Sequence, residues 1–378
     1  MSTVDLHEPP TAAVEQPRRL TWHGVSTVAR LELIQRLRSS RWKIVLALWF
    51  VGVGVICLLI TTATTSMTSY SSNATPIGQW IFGMNVFFIL FMGLLVTPSL
   101  GSTAINGDRN GGTLAILQAS LLSSWEIILG KWLAGWTTSL AFLIASLPYI
   151  IWSLAAGGVS VWSVIVVVAV MMFILAVVCA VSVFWSAKMV KTATSTLMSY
   201  FSVALVSLIS LLLFGLGLVV IQHDTQVRVM QPSEWSPTTG NPTACEPVTT
   251  TRTDLGMDYL WPLLAINPFV LVADSTPQHS EDMASVETPL QAIQVGVRLA
   301  RANPVDMGWD SEWCNEDGSV VSQAEYNKRT ETTQEDLAGA VWPYGFVFYV
   351  IAGGLALFGA ERRIRTPVAT LAKGVRIA

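Results

Sequence analysis

Charged side chains are scarce in this sequence. Asp, Glu, Lys and Arg make up 12% of the 378 residues, whereas a typical soluble domain carries about 25%. Apolar residues take their place, because 52% of the chain is hydrophobic and the mean hydropathy is +0.53. This is too little charge to cover a soluble protein of such size. The composition therefore excludes that class and predicts that lipid solvates most of the chain.

The sequence lacks a phosphate-binding loop. Gly130-Lys131 resembles the end of such a loop, but Trp125 stands where its leading glycine belongs and Trp132 where its Ser or Thr belongs. The loop needs glycine there so that backbone N–H groups can approach the phosphates, and the match therefore fails. We predict that this chain does not bind ATP itself.

Catalytic and metal-binding patterns are also missing, since no HExxH, CxxC or GxSxG spacing occurs. The four histidines are scattered outside the apolar segments, at His7, His23, His223 and His279. His223 and Asp224 could approach His279 to hold a metal, but isolated polar surface residues explain them more simply. We predict no catalytic residue, no metal site, no nucleic-acid partner and no enzymatic activity.

Cysteine is rare, and its four positions divide into two kinds. Cys57 and Cys179 lie in apolar runs, where cysteine usually serves as a small buried side chain. Cys245 and Cys314 lie in a long polar segment that the charge distribution places outside the cell. Because that compartment is oxidising, we predict a disulfide between them, with two free thiols as the alternative.

Long apolar runs dominate the rest of the chain. A helix needs about 20 apolar residues to cross a hydrocarbon core about 30 Å thick. Six segments meet or approach that length: Ile44–Thr62, Ile81–Ala104, Trp132–Leu154, Val161–Trp185, Ser195–Gln222 and Ala338–Ala360. They contain no charged residue and no histidine. We predict an all-α membrane protein with six transmembrane helices.

The charges divide unequally between the two sides of these helices. The side that holds both termini carries 16 of the 22 Lys and Arg residues and 7 of the 25 Asp and Glu residues, a net charge of +9. The other side has a net charge of −12. Because cytoplasmic loops carry the excess of Lys and Arg, we predict that both termini are cytoplasmic, in a bacterial inner (plasma) membrane.

The chain before the first span divides into two parts. Residues 1–21 are polar and proline-containing, which predicts a disordered cytoplasmic tail. Residues 22–43 combine cations with an apolar stripe at helical spacing: Val28, Leu31, Leu33, Ile34 and Leu37. This pattern predicts an amphipathic entry helix along the cytoplasmic membrane surface, and an ordinary juxtamembrane anchor would show the same residues. Residues 361–378 predict a second cytoplasmic tail.

Residues 223–337 form the one long polar segment and predict an external domain. Within it, residues 259–273 are apolar but short for a span, and Pro262 and Pro268 interrupt them. We predict a re-entrant or interfacial hairpin there. Residues 278–301 predict an exposed helix.

The second cytoplasmic loop, residues 105–131, carries the most informative pattern. Gly111 and Gly112 are expected to end the incoming helix, and Thr113 is suited to cap a short one. The apolar face of that short helix would hold Leu114, Leu117 and Leu121. Such a helix at the end of a span suits docking of a soluble partner, although a simple helical hairpin is an equal alternative.

This loop resembles that of the permeases of type-2 ATP-binding-cassette exporters. The resemblance rests on Asp108-Arg109, Gly112-Thr113, Gly130-Lys131 and the Ile266-Asn267-Pro268-Phe269 turn, and on the order of the six spans. Two differences from the family pattern are Asp108 in place of Glu and the absence of a proline after the loop helix.

The resemblance implies a partner protein and names the residues that would contact it. A separate cytoplasmic ATPase subunit would bind ATP and Mg, and this chain would hold no cofactor. The implied coupling residues are Glu32, Asp108, Arg109, Gly111, Gly112, Thr113 and Leu117. Two permeases, identical copies or a copy and a paralogue, would pair within the membrane lipid to enclose the pathway. The absence of charged residues from the spans agrees with an external energy source, since proton-driven transporters usually carry them.

Polar and aromatic residues of the second and fifth spans predict the lining of that pathway: Asn85, Phe88, Met92, Ser99, Ser199 and Ser202. Such a lining suits an amphipathic substrate that is lipid-like, peptide or drug-like. Close packing of membrane helices through small residues explains the same positions and is slightly favoured. The alternative function is a membrane sensor or immunity protein that uses the external domain for recognition.

Overall fold

The structure, a computed structural model, describes residues 20–68, 77–114, 122–237, 241–254, 256–277, 288–301, 313–315, 317–322, 324–326 and 339–365. These form, in chain order, α1 (Trp22–Arg38), α2 (Ser40–Thr68), α3 (Ile77–Gly101), α4 (Asn106–Asn110), α5 (Ser124–Ala155), α6 (Val161–Lys188), α7 (Thr192–Ile221), β1 (His223–Trp235), β2 (Pro242–Asp254), α8 (Met257–Ala265), α9 (Pro268–Ser275), α10 (Pro289–Arg301) and α11 (Trp342–Ile364).

Six of these helices are long and apolar enough to cross a membrane, namely α2, α3, α5, α6, α7 and α11. The predicted fold class is therefore confirmed. The helices extend beyond the apolar runs where capping residues allow it. For example, α5 begins at Ser124 rather than at Trp132, because Ser123 and Glu126 form a capping box that satisfies the first backbone N–H groups.

The hydrophobic core lies between α3, α5, α6 and α9. Val86, Ile89 and Met171 are among its fully buried members. In contrast, α2 and α7 cover the outside of the bundle, and Leu48 and Leu208 on them are about two-thirds exposed. Apolar faces of this kind are expected where lipid or another membrane-embedded chain covers a helix.

The first two helices pack in sequence order along α5, so all three run in the same direction. The paired residues are Thr21 with Glu126, Val28 with Gly130, Glu32 with Lys131, Arg36 with Thr138, Trp42 with Phe142, and Trp49 with Ser146. In α1, the residues that face α5 include Val25, Val28 and Ala29, whereas Leu31 and Leu37 stay exposed. Only one member of the predicted apolar stripe is thus buried, because α1 packs through its small residues.

A π-turn interrupts α7 between Leu205 and Ile209, where the N–H of Ser210 donates to the carbonyl of Leu205. The buried Asn267 lies against this turn, and its Nδ2 donates to the carbonyl of Ser207 at 2.8 Å. Its Oδ1 accepts from the N–H of Phe269 and caps α9. One side chain therefore satisfies polar groups that two irregular backbone segments leave open.

The polar segment after α7 contains a β-hairpin that was not predicted from the sequence. Strands β1 and β2 pair antiparallel with His223 opposite Asp254, and the register shifts near Pro232, where the missing N–H breaks the ladder. The predicted disulfide between Cys245 and Cys314 is present and ties β2 to a loop 69 residues further along the chain. Trp313 of that loop packs between Trp235 and Tyr326.

The predicted re-entrant segment consists of α8 and α9, which meet at Asn267. With α10 they form a compact group, here called the α8–α10 unit (residues 257–275 and 289–301), whose core includes Leu264, Val270 and Val297. Unlike the exposed helix predicted for 278–301, α10 buries one face against α8 and α9. Its strong separation of apolar and cationic faces explains this packing.

Asp274 joins the α8–α10 unit to the last span. Its carboxylate is fully buried and accepts from Nε of Arg298 at 2.6 Å. It also accepts from the backbone N–H groups of Val341 and Trp342, at 2.7 and 2.6 Å, where α11 begins. A carboxylate at a helix start neutralises the positive end of the helix dipole and satisfies its free donors.

Candidate functional site

A buried lysine lies at the end of the bundle that carries α1 and α4. Lys131, in the second turn of α5, is 2% exposed. Its ammonium group contacts the carboxylate of Glu32 on α1, and it lies 2.5 Å from Oδ2 of Asp108 on α4. A buried charge is tolerated only when opposite charges and hydrogen bonds replace the lost water. These contacts therefore hold three helices together at one point.

Arg36 extends this arrangement toward α3. One guanidinium nitrogen donates to the carbonyl of Leu100 at 3.1 Å, another approaches the hydroxyl of Thr138 at 3.4 Å, and the group lies 4.0 Å from Glu32. We call Glu32, Arg36, Asp108 and Lys131 the charged cluster. Its two cations and two anions balance, so the cluster binds helices without adding net charge.

A third carboxylate, Glu126, fixes the beginning of α1. Glu126 caps its own helix through Ser123, and it also accepts from the backbone N–H of Thr21 at 2.8 Å and from the Thr21 hydroxyl. Thr21 in turn caps α1 by accepting from the N–H of Gly24. Glycine permits this close approach, since a Cβ at Gly24 would lie 2.5 Å from the Glu126 carboxyl.

The loop after α3 is held by the end of α6. The hydroxyl of Ser186 accepts from the N–H groups of Ile105 and Asn106, at 2.9 and 3.2 Å. Asp108 and Arg109 follow on α4, and Arg109 is half-buried. This anchoring sets the direction in which α4 presents Asp108 to Lys131.

The two glycines of the loop end α4 as predicted. Gly111 follows its last residue, and Gly112 has a φ of +73°, which an L side chain rarely adopts. The hydroxyl of Thr113 donates to the carbonyl of Asp108 at 3.3 Å. Leu117 lies outside the described residues, so the predicted capping of a following helix by Thr113 and the role of Leu117 stay predictions.

Five of the seven residues predicted for coupling lie on α4 and the turn that follows it, namely Asp108, Arg109, Gly111, Gly112 and Thr113. Glu32 is linked to this group because both Glu32 and Asp108 contact Lys131. In the sequence, Lys131 stands out only as part of a Gly-Lys pair, and the roles of Arg36, Glu126 and Ser186 were not predicted. Two local signals were available. Ser123 and Glu126 match the spacing of a capping box, and Glu32 and Arg36 match an i,i+4 ion pair.

The residues predicted to line a pathway lie in different environments within this single chain. Asn85 is fully buried, and its Nδ2 approaches Sγ of Cys57 at 3.3 Å. Ser199 is buried and bonds the carbonyl of Ser195, and Ser202 accepts from Nε1 of Trp185.

The other three lie nearer the surface. Phe88 and Met92 are half-buried, whereas Ser99 is exposed. Helix packing therefore accounts for Asn85, Ser199 and Ser202, and the pathway role of the set stays a prediction.

A bundle of six membrane-length helices, with a charged loop packed at one end, defines the class of a multi-pass membrane protein. A family profile described as ABC-2 family transporter protein matches residues 26–295, from α1 into α10. The match covers more than half of the chain, and the protein therefore belongs to the ABC-2 transporter family. Membership implies pairing with an ATP-binding-cassette subunit in general. No functionally curated protein matches the chain significantly.

Proposed function

We propose that this chain is the permease subunit of an ATP-driven exporter in the bacterial inner (plasma) membrane, with both termini cytoplasmic. It pairs with a second permease and moves an amphipathic substrate outward. It has no catalytic site and no cofactor, and a separate ATPase subunit binds ATP and Mg. Family membership and the charge difference between the two sides of the bundle support this proposal.

The charged cluster is the observation that carries the coupling mechanism. Through Lys131, a push on α4 acts directly on α5 and α1. Since α1 and α2 pack along α5 in sequence order, displacement of this group moves whole helices rather than single side chains. ATP-driven closure of the ATPases would supply that push at residues 108–113 and switch access between the two sides.

Reconstitution with the ATPase subunit tests this proposal. Bulky replacements Gly112→Val and Thr113→Phe are expected to uncouple the complex, so that ATP hydrolysis continues while substrate transport falls at least ten-fold. The positive φ of residue 112 is one that β-branched residues avoid, so Gly112→Val also strains the backbone. Gly112→Asn is the control, because asparagine adopts this φ more readily and so adds a side chain with less strain.

Two results would contradict the proposal. Unchanged transport by the bulky variants would remove the loop from the coupling mechanism. Failure of any cassette ATPase to co-purify with the chain, together with specific capture of an external protein, would favour the sensor or immunity function instead.

A further inference from the structure

Helix α11 packs beside α6 from Phe173 onward, and the two helices run in the same direction. Phe173 stacks on Phe346 with ring centroids 4.6 Å apart. Further along, a Cβ at Gly353 would lie 3.3 Å from Val177, and one at Gly359 would lie 2.7 Å from the ring of Phe184. From the first to the last of these contacts, α6 advances from Phe173 to Phe184 and α11 from Phe346 to Gly359, so the two helices stay side by side in a parallel arrangement.

This arrangement places a lysine of α6 and a pair of arginines of α11 at the same end of the interface. Four residues beyond the Phe184–Gly359 contact, the chain reaches Lys188 on α6 and, at the same height, the Arg362–Arg363 pair on α11. Lys188 lies over the rings of Phe184 and Trp185, at 5.5 and 4.8 Å from their centroids.

Arg362 lies 5.2 Å from the centroid of Phe358, and both Lys188 and Arg362 are exposed. Aromatic rings beneath a cation hold its side chain close to the helix surface. The two charges are thus positioned by the fold rather than free to extend in any direction.

An apolar ridge leads away from these cations along α11. It consists of side chains at helical spacing that are 48–65% exposed: Val347, Ile351, Leu355 and Phe358. Residues at this spacing share one face of a helix, so the ridge is continuous and ends at Arg362. The combination is an apolar strip about three turns long with two positive charges at one end.

We propose that Lys188 and Arg362 bind the phosphate of an anionic phospholipid of the cytoplasmic leaflet, whose acyl chain lies along the ridge of α11. The dimensions and chemistry match, because such a lipid joins a negatively charged headgroup to a long apolar chain, and basic sites between transmembrane helices bind such headgroups. The site rests on the orientation proposed above, but it needs neither the ATPase nor transport.

A phospholipid explains these features better than an acidic protein surface does. An acidic partner would account for the cations, but it would leave the ridge below them without a role. Free phosphate would likewise use only the two charges. The observation that favours a lipid is the continuity between the two cations and an apolar ridge about three turns long, which is about the depth of one leaflet.

Native mass spectrometry of the full chain in detergent tests the proposal with phosphatidylglycerol and phosphatidylcholine of identical acyl chains. The wild-type protein is expected to retain phosphatidylglycerol preferentially. Lys188→Gln with Arg362→Gln is expected to weaken its binding about 30-fold, at about 1 kcal/mol for each cation. Binding of phosphatidylcholine should not change. The charge-conserving pair Lys188→Arg with Arg362→Lys should keep the preference.

A matched control removes two exposed cations from α1, Arg30→Gln with Arg38→Gln, and should leave phosphatidylglycerol binding unchanged. Three results would overturn the proposal. These are unaltered binding by the Lys188/Arg362 variant, an equal loss in the Arg30/Arg38 control, and displacement of the lipid by millimolar inorganic phosphate. None of these measurements involves ATP, so a failure here is distinct from a failure of the transport proposal.

Discussion

The charged cluster and the Asp274 site lie at opposite ends of the bundle and neutralise a buried charge in different ways. Lys131 is balanced by two side chains, Glu32 and Asp108, which belong to two other helices. Asp274 pairs with one side chain, Arg298, and otherwise accepts from the backbone at the start of α11. The charge of Lys131 is neutralised only while three helices keep their relative positions. The charge of Asp274 is neutralised largely by the backbone at the start of a single helix.

This difference predicts which end can rearrange. The side chains of Glu32 and Asp108 in the charged cluster are 21% and 26% exposed. Water can therefore replace a lost partner when the helices move apart. The Asp274 carboxylate has no exposure, and the N–H groups that it caps would be left without a partner. We therefore expect the charged cluster to be the mobile end and the Asp274 site to be the fixed end.

The largest expected effect comes from opening the disulfide between Cys245 and Cys314. A closed loop of about 70 residues contributes about 4 kcal/mol to local stability in the chain-entropy description. After treatment with dithiothreitol, we expect hydrogen exchange in β1 and β2 to increase strongly while exchange around Asp274 stays slow. Cys57 and Cys179 are buried and free, so reduction leaves them unchanged. Equal acceleration in α9 would show that the hairpin also supports the fixed end.

Removal of the buried cation should be the next largest effect. Lys131→Met removes the cation that contacts both Glu32 and Asp108 and leaves only the more distant Arg36 near them, at an expected cost of about 3 kcal/mol. Denaturant titration in detergent micelles measures the loss. Adding Glu32→Gln and Asp108→Asn to this variant should recover most of it. A triple variant as unstable as the single one would show that packing, not charge, holds this end.

The Asp274→Asn substitution tests the fixed end. It removes the charge partner of Arg298 and puts an NH2 group near backbone donors, so we expect a loss of about 2 kcal/mol. A double-mutant cycle with Arg298→Gln separates the ion pair from the helix cap. If Arg298→Gln alone reproduces the whole loss, the cap on α11 contributes little and the contrast between the two ends is wrong.

The smallest expected effect concerns the amide that supports the π-turn. Asn267→Ala should cost about 1 kcal/mol, because the carbonyl of Ser207 and the start of α9 each lose a hydrogen bond. Asn267→Asp keeps the cap on α9 but presents an acceptor to the carbonyl, so it should be the more damaging variant. Thermal unfolding of the two variants side by side decides this order.

Much of the membrane-embedded fold could be predicted from the sequence, because a hydrocarbon core imposes a length and a composition on every span. The disulfide was predictable for a similar reason, since compartment and cysteine position restrict the choice. Contacts such as Glu32 with Lys131 were not, because they join residues 99 positions apart and depend on the parallel packing of α1 on α5.

The β-hairpin was missed for a different reason. Threonines and valines of β1 and β2, such as Val248, Thr249 and Thr250, have strand propensity. In a long polar segment, however, Pro232 and Pro247 masked the pattern, because proline usually excludes a strand assignment. Both strands lie at the edge of a two-stranded sheet, where such residues are tolerated.

The π-turn in α7 also determines which way the side chains of that helix face beyond Ile209. Each residue advances a regular helix by about 100°, so one additional residue in the turn rotates everything beyond it by roughly that angle. Beyond the turn, Gly217 packs so closely against Leu260 that a Cβ on residue 217 would clash with it. Strand β1 begins shortly after this contact. Deleting a single residue between 205 and 209 would restore regular geometry and aim the whole hairpin in another direction.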